Sequence, residues 1–324
     1  MPFSYRRNKQ LIYTLVILGV IGLTPLVTHS YVESLLILIL IYVAMTQGYN
    51  LMLIQGDLSF GPAAFMGAGA YTVALLVHYG VSTNPVLNSL LGAGVAGVVG
   101  FVLGFPLLKL RGIYFAIGTL GLAEIIRLVI LSTPSLGGGQ GIIVTTFIQS
   151  FNQDIFFYAI VGITAAFTVF SHVIFKSRLG LALAAIKDNI EAAKSLGVRA
   201  TPFRLLGFSL SGALIGLVGA FFAYYNGFVY PDNVLSLGIS FTILTIAFFG
   251  GESTFLGPII GGFAVVLAEQ IAQNFILQGY QVVLAVLLVI VFLVMPGGIV
   301  GTLTGKAPLI NPIRGLMNRK RAGH

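Results

Sequence analysis

The chain of 324 residues contains no cysteine and no tryptophan, and only 8% of its residues are charged. Without cysteine there are no disulfide bonds, no thiolate metal ligands and no thiol nucleophile. Ordinary soluble domains carry roughly 25% charged residues, so this low fraction argues against a soluble protein. The sequence also lacks an HExxH zinc motif and a nucleophile elbow. We therefore expect a protein that is not itself an enzyme and has no metal site.

Apolar residues are what the chain has instead, at 57% of the total. They form runs of about 20 residues, each long enough as a helix to cross a hydrocarbon core of about 30 Å. A transmembrane barrel would show short alternating segments instead. The sequence therefore predicts an all-α polytopic membrane protein, with residues 1–324 as a single transmembrane domain. About ten transmembrane helices are predicted, at 11–28, 31–54, 62–79, 85–108, 112–132, 154–175, 203–226, 234–249, 258–275 and 280–300.

The first apolar run, at 11–27, follows Arg6, Arg7 and Lys9, an order that a secretory signal peptide shares. The run is longer than a typical signal core, and no convincing small-residue cleavage site follows it. We expect it to stay in the mature chain as the first span.

Basic residues fall on one side of the ten predicted spans. With a cytoplasmic amino terminus, Lys109, Arg111, the 176–204 loop and the carboxyl-terminal tail all lie inside, and the outside loops contain no Lys or Arg. Basic residues resist translocation, so this segregation predicts a cytoplasmic-membrane protein with both termini in the cytoplasm. The net charge of +8 is thereby explained by orientation in the lipid, and we expect no nucleic-acid partner.

Two stretches, 56–62 and 251–258, share the order glycine, acid, hydroxyl, phenylalanine, glycine, proline. Proline suits the first turn of a helix and a preceding Ser or Thr can cap it, so we predict an internal repeat of broken helices. Matching broken helices are typical of a transporter pathway. Two tight cytoplasmic turns would use the same residues, and both interpretations stay open. The pathway interpretation nominates Ser59, Phe60, Pro62, Thr254 and Pro258.

Charged residues also occur inside the predicted spans. Glu124 and Arg127 are three residues apart on one helix face, where they can pair. A lone charge at the bilayer centre costs on the order of 3 kcal/mol, so either a structural ion pair or a place on the substrate pathway would account for them. Glu269 lies with Gln270 and Gln273 near the outer end of the ninth span, and we expect a wet helix end there.

The 176–204 loop holds six basic and two acidic residues between two spans. Its apolar residues recur at steps of three and four, which predicts one amphipathic helix, and Gly197 is placed to end it. The apolar positions are Leu179, Leu183, Ile186, Ile190, Ala193 and Leu196. A helix lying on the inner membrane surface would show this pattern, and so would a helix that a cytoplasmic partner moves.

Within that loop, Glu191-Ala192-Ala193 followed by Gly197 resembles the EAA loop of binding-protein-dependent ABC importer permeases. The isoleucine and leucine-proline ending of the general pattern is absent after Gly197. The resemblance covers nearly the whole chain and is strongest to the M-type permease subunit of branched-chain amino-acid importers. The strings that carry it lie at 56–61, 63–71, 110–121 with Glu124 and Arg127, 177–180, 250–251 and 257–258.

The resemblance implies a permease subunit that imports leucine, isoleucine or valine and has no cofactor of its own. Its implied partners are a sister permease, two cytoplasmic ATPase subunits that bind ATP, and an extracytoplasmic substrate-binding protein. The implied coupling segment is the 176–204 loop. Its contacts to the ATPase would be Leu183, Lys187, Glu191, Ala192 and Gly197. Two alternatives stay open: a secondary transporter driven by an ion gradient, and the same ABC role with amides or urea as substrate.

Overall fold

The computed structural model describes residues 2–26, 30–110, 112–144, 153–251, 254, 256–275, 286, 298 and 299. The helices within this part of the chain are α1 Pro2–Gly22, α2 Ser30–Ile54, α3 Pro62–His78, α4 Pro85–Leu107, α5 Ile113–Ser132, α6 Gln153–Lys176, α7 Arg178–Asp188, α8 Ile190–Ser195, α9 Ala200–Asn226, α10 Pro231–Val234, α11 Leu237–Gly250 and α12 Gly257–Phe275. Two short strands, β1 Ile142–Ile143 and β2 Phe228–Val229, accompany them.

Among the described residues, six helical segments are long and apolar enough to cross a membrane. They are Tyr31–Ile54, Pro85–Leu107, Ile113–Ser132, Gln153–Lys176, Ala200–Asn226 and Pro231–Gly250, with shorter apolar helices at Leu11–Gly22, Pro62–His78 and Gly257–Gln273. The prediction of an all-α membrane protein is thus confirmed. Nine of the ten predicted spans coincide with a described helix. The tenth, at 280–300, lies almost wholly outside the described residues, so the count of ten crossings stays a prediction.

A small β-ribbon is an addition to the predicted helices. β1 pairs antiparallel with β2, with Ile142 opposite Val229, and so ties the connection between α5 and α6 to the end of α9. Gly141 precedes β1 at φ +75°, and a Cβ on it would lie 2.7 Å from the carbonyl oxygen of Val229. Only glycine allows both that backbone angle and that approach.

The centre of the bundle is α9, which packs against α2, α3 and α4. Glycines set the spacing there, because a Cβ on Gly69 of α3 would overlap the carbonyl oxygen of Gly216 on α9. A Cβ on Gly219 would likewise overlap the carbonyl oxygen of Met66. Helices in lipid gain little from the hydrophobic effect, so this close backbone approach supplies the packing contacts that hold them together.

The predicted single helix of the 176–204 loop is wrong, because α7 and α8 are separated at Asn189. This residue is extended, at φ −160° and ψ 110°, and its Oδ1 accepts hydrogen bonds from the backbone amides of Glu191 and Ala192, both at 3.0 Å. Asparagine competes with helix continuation through such capping. The predicted apolar face therefore does not reach Leu196, which is 85% exposed beyond the end of α8.

Candidate functional site

The segment between α2 and α3 has no regular secondary structure and enters the bundle. The hydroxyl of Tyr49 donates to the carbonyl oxygen of Ser59 at 2.9 Å and accepts from its amide at 3.1 Å. The Phe60 amide donates to Oγ1 of Thr119 at 3.0 Å. Because Tyr49 precedes the end of α2 by a full helical turn and Thr119 is well inside α5, α3 starts within the bundle. A helix that begins at Pro62 inside the bundle agrees with the glycine and proline pattern, and its role as a broken helix of a transport pathway stays a prediction.

Backbone amides at the start of α3 already have acceptors. The Gly61 amide donates to Oγ of Ser59 at 3.2 Å, and the Ala63 amide donates to Oγ of Ser240 on α11 at 3.2 Å. Pro62, the first residue of α3, is buried and has no amide hydrogen to satisfy. In this conformation, a ligand that hydrogen-bonds at these amides has to displace the hydroxyl groups of Ser59 or Ser240.

Phe60 and Ser59 face different surroundings. Ser59 is fully buried, whereas Phe60 is partly exposed and packs edge-on against Phe241 of α11, with ring centroids 5.8 Å apart. The pathway candidates of this turn therefore lie at the junction of α2, α5 and α11.

The second turn of the predicted repeat lies ahead of α12. Thr254 Oγ1 accepts from the Gly257 amide at 3.0 Å and donates to the Gly251 carbonyl oxygen at 2.7 Å, and Pro258 is buried. The Thr254 carbonyl oxygen accepts from Nδ2 of Asn50 at 3.2 Å. Residues 252, 253 and 255 lie outside the described residues, so the internal repeat stays a prediction.

Two neighbouring residues of α2 thus hold both turns, since Tyr49 binds the first and Asn50 the second. The sequence patterns predict a site role for neither residue, nor for Ser240, and Thr119 is predicted only as part of the 110–121 string. A tyrosine and an asparagine side by side in an apolar helix are the available signal, because buried polar groups need hydrogen-bond partners.

Glu124 and Arg127 form the predicted ion pair, and a third residue joins it. Nη1 of Arg127 donates to Oε1 of Glu124 at 2.7 Å, while its Nε and Nη2 donate to Oδ1 of Asp232 on α10 at 2.8 and 2.6 Å. Asp232 is 105 residues away in sequence and was not predicted. The side chains of Arg127, Glu124 and Asp232 are 26%, 35% and 61% exposed, so the cluster is open to its surroundings. In the part of the chain that the structure describes, no three His, Asp or Glu side chains form a metal-binding group.

The predicted wet helix end at Glu269 is wrong. Glu269 is only 7% exposed, because α12 packs this face against α11. The hydroxyl of Thr242 on α11 donates to Oε2 of Glu269 at 3.3 Å. A buried carboxyl with so few polar neighbours is a feature that the ion-gradient alternative would need.

The predicted coupling residues divide into an anchor and an exposed surface. Leu183 is fully buried, in a cluster with Leu51 and Ile54 at the end of α2 and Phe175 at the end of α6. It therefore faces the bundle and fixes α7 to it. Burying a leucine side chain contributes roughly 1.5–3 kcal/mol.

The other four coupling residues, Lys187, Glu191, Ala192 and Gly197, are exposed on α7 and α8. Gly197 adopts φ +86° and ends α8 as predicted, with its amide on the Lys194 carbonyl oxygen at 2.9 Å and the following amide on that of Ala193 at 3.0 Å. This pair of hydrogen bonds defines the Schellman motif, which requires a residue in the left-handed backbone conformation. The 176–204 loop, called the α7–α8 loop from here on, thus presents these four exposed residues as a short surface, the α7–α8 surface, at one end of the bundle.

An ion pair behind this surface was not predicted. Arg204 of α9 donates from Nε to Oδ2 of Asp57 at 3.2 Å and from Nη2 to Oδ1, and its Nη1 donates to the carbonyl oxygen of Leu108 at 3.2 Å. The two side chains are only 12% and 11% exposed. The carboxylate of Asp57 in an apolar segment indicates that a basic partner is needed. That partner is 147 residues away in sequence, so the local sequence does not identify it.

Comparison with known proteins places these features in a family. The sequence profile of the family described as branched-chain amino acid transport system / permease component matches residues 31–295. The high-affinity branched-chain amino acid transport system permease protein LivM of Salmonella typhimurium is 28% identical over 300 residues, covering 82% of this chain and 69% of LivM. LivH of the same bacterium is 29% identical over 175 residues, covering 53% of this chain and 56% of LivH.

Another relative is named for a different solute. The autoinducer 2 import system permease protein LsrC of Photorhabdus laumondii is 23% identical over 274 residues, with 80% of each chain covered. No solved structure matches the chain. Because the profile match spans most of the sequence and includes both broken-helix turns and the α7–α8 loop, the chain belongs to the family of branched-chain amino acid transport system permease components, and within it is similar to the M-type subunit.

Proposed function

We propose that this chain is the M-type permease subunit of an ATP-driven importer that moves leucine, isoleucine or valine across the cytoplasmic membrane. Family membership and the similarity to LivM support this proposal. The observation that carries it is the α7–α8 surface, whose exposed residues rest on the buried anchor Leu183. Such a surface lets a partner push on the bundle without unfolding the loop.

The proposal assigns each partner to a place. Two cytoplasmic ATPase subunits bind ATP and serve the permease pair, and one of them contacts this chain at Lys187, Glu191, Ala192 and Gly197. A sister permease completes the translocation path, and the similarity to LivH as well as LivM supports a pair of related permeases. An extracytoplasmic binding protein delivers substrate at the opposite end, and both termini lie in the cytoplasm.

Substrate passes where polar groups interrupt the apolar bundle. The side chains of Arg127 and Glu124 are 26% and 35% exposed. The turns at Ser59 and Thr254 carry hydroxyl and backbone groups that suit the ammonium and carboxylate of an amino acid, which binds there by displacing their present hydrogen bonds. The apolar side chains around Phe60 and Pro62, and those after Pro258, suit a branched aliphatic side chain. Motion of the ATPases changes which end of this path is open.

Two observations keep alternatives in view. LsrC is named for autoinducer 2 import, so permeases with this sequence pattern serve more than one solute, and amides or urea are the alternative substrates here. The buried carboxyl of Glu269 is the site that an ion-driven secondary transporter would use.

Reconstitution of the complete complex in proteoliposomes tests the proposal. We expect uptake of labelled leucine that unlabelled isoleucine and valine suppress, that vanadate blocks and that an uncoupler leaves intact. Suppression by amides or urea alone would contradict the substrate assignment. Loss of uptake with an uncoupler while ATP stays high would support the secondary transporter instead.

A further inference from the structure

The α7–α8 loop is held against the bundle at two adjacent residues, Gly56 and Asp57. The first fastening is at Gly56, the residue that turns the chain out of α2 at φ +84°. A Cβ on Gly56 would lie 3.2 Å from Cγ and 3.5 Å from Cα of Lys187, so the last turn of α7 rests directly on this turn. A larger residue at 56 would be strained at this φ and would crowd the Lys187 side chain.

The second fastening is at the next residue, Asp57. Its carboxylate accepts hydrogen bonds from Nε and Nη2 of Arg204. Arg204 is the fifth residue of α9, the helix that follows α8. The remaining guanidinium nitrogen, Nη1, donates to the carbonyl oxygen of Leu108 at the end of α4. A planar guanidinium fork holds such partners in one fixed orientation, which a flexible lysine would not.

Residues 56 and 57 therefore contact the last turn of α7 and the first turns of α9, on either side of α8, and lead straight into the segment that enters the bundle. That segment is hydrogen-bonded to α2 at Tyr49 and to α5 at Thr119, and α3 behind it is bonded to α11 at Ser240. The packing of Lys187 at Gly56 and the hydrogen bonds that follow it thus form a continuous set of contacts from α7 to these helices.

We propose that Asp57 and Arg204 are positioning residues that transmit movement of the α7–α8 loop to the start of α3, and so link ATP hydrolysis to opening of the path. The inference rests on the proposed function. It differs from a purely structural role in one respect: the pair matters for transport per ATP even when the chain is folded.

The test compares Asp57→Asn, Arg204→Gln and the double variant D57N/R204Q in the reconstituted complex. A single change leaves one buried charge without its partner and destabilises the chain, whereas the double change removes both charges. We expect the double variant to fold, to bind the ATPases and to hydrolyse ATP. We also expect its leucine uptake per ATP to fall at least about fivefold, the lower end of usual coupling factors.

Tyr224→Phe is the matched control. It removes the buried 2.8 Å hydrogen bond between the Tyr224 hydroxyl and Nδ2 of Asn88, which also joins α9 to α4 but lies at the opposite end of the bundle. We expect uptake per ATP to be unchanged in this variant. A double variant D57N/R204Q with the wild-type ratio would overturn the inference, as would an equal fall in Tyr224→Phe.

A labelling experiment gives a second readout. The chain has no native cysteine, so Leu58→Cys, at a partly exposed position, carries the only thiol. We expect its labelling rate to change on vanadate trapping in the parent and to stay constant in the D57N/R204Q background. The same change in both backgrounds would overturn the inference. Failure of the unmodified complex to couple ATP hydrolysis to uptake would instead count against the proposed function.

Discussion

Single glycines set the distance between the central helices of this bundle. The carbonyl oxygen of Met66 on α3 occupies the space that a side chain on Gly219 of α9 would need. Gly94 of α4, by contrast, faces outward, and a Cβ on it would have no neighbouring atom within 4 Å. The two positions have the same residue type in the same kind of helix, but only one is constrained.

We therefore predict that Gly219→Ala destabilises the purified chain by roughly 1–3 kcal/mol, since a backbone oxygen moves only with its helix. Thermal unfolding followed by size-exclusion chromatography in detergent measures this effect. Gly94→Ala is the control, and we expect its midpoint to equal or exceed that of the wild type, because alanine favours a helix where no neighbour obstructs it. Equal midpoints for all three proteins would show that α3 and α9 do not approach as closely as described.

Among the helices, α7 packs one face against the bundle and exposes another. Leu183 is fully buried, whereas Leu181 on the same helix is 63% exposed. We predict that Leu183→Ala destabilises the chain by about 2–5 kcal/mol, and that Leu181→Ala changes its stability by less than about 0.5 kcal/mol. Urea unfolding of the chain alone measures both. Similar losses in the two variants would contradict the assignment of Leu183 as the anchor.

The end of α8 depends on backbone conformation alone. Gly197 adopts φ +86° with open space around its Cα, so a side chain there meets strain but no clash. Asparagine tolerates the left-handed region better than alanine. We predict that Gly197→Ala weakens co-purification of the ATPases more than Gly197→Asn does. Equal co-purification in the two variants would show that the turn does not shape the docking surface.

Sequence patterns identified these elements where the signal was local and long. Apolar runs of about 20 residues predict spans well, and nine predicted segments coincide with described helices. Asn189 interrupts the predicted loop helix because its side chain accepts hydrogen bonds from two backbone amides. The spacing of apolar residues carries no information about this capping. A ribbon of two-residue strands has no periodicity to detect.

Site residues were predictable only where the partner lay on the same helix. Glu124 and Arg127 were paired correctly because they are one turn apart. Their third partner Asp232, and the match of Asp57 to Arg204, depend on how distant helices pack. The burial of Glu269 has the same origin, since α11 covers it.

For the whole molecule, orientation in the membrane has a direct test because the chain lacks cysteine. Thr83, between α3 and α4, and Ser195, at the end of α8, are both exposed and lie in connections predicted on opposite sides. We predict that Thr83→Cys reacts with a membrane-impermeant maleimide in intact cells, and that Ser195→Cys reacts only after permeabilisation. Reaction of both in intact cells would contradict the predicted orientation.

The central claim is that partner ATPases operate this chain's transport path through the α7–α8 surface. The most direct measurement is leucine uptake into sealed vesicles that contain the chain and its sister permease, with and without the ATPase subunits and binding protein. We expect accumulation against a gradient only when the ATPases and ATP are present. Accumulation by the permeases without any ATPase would contradict it.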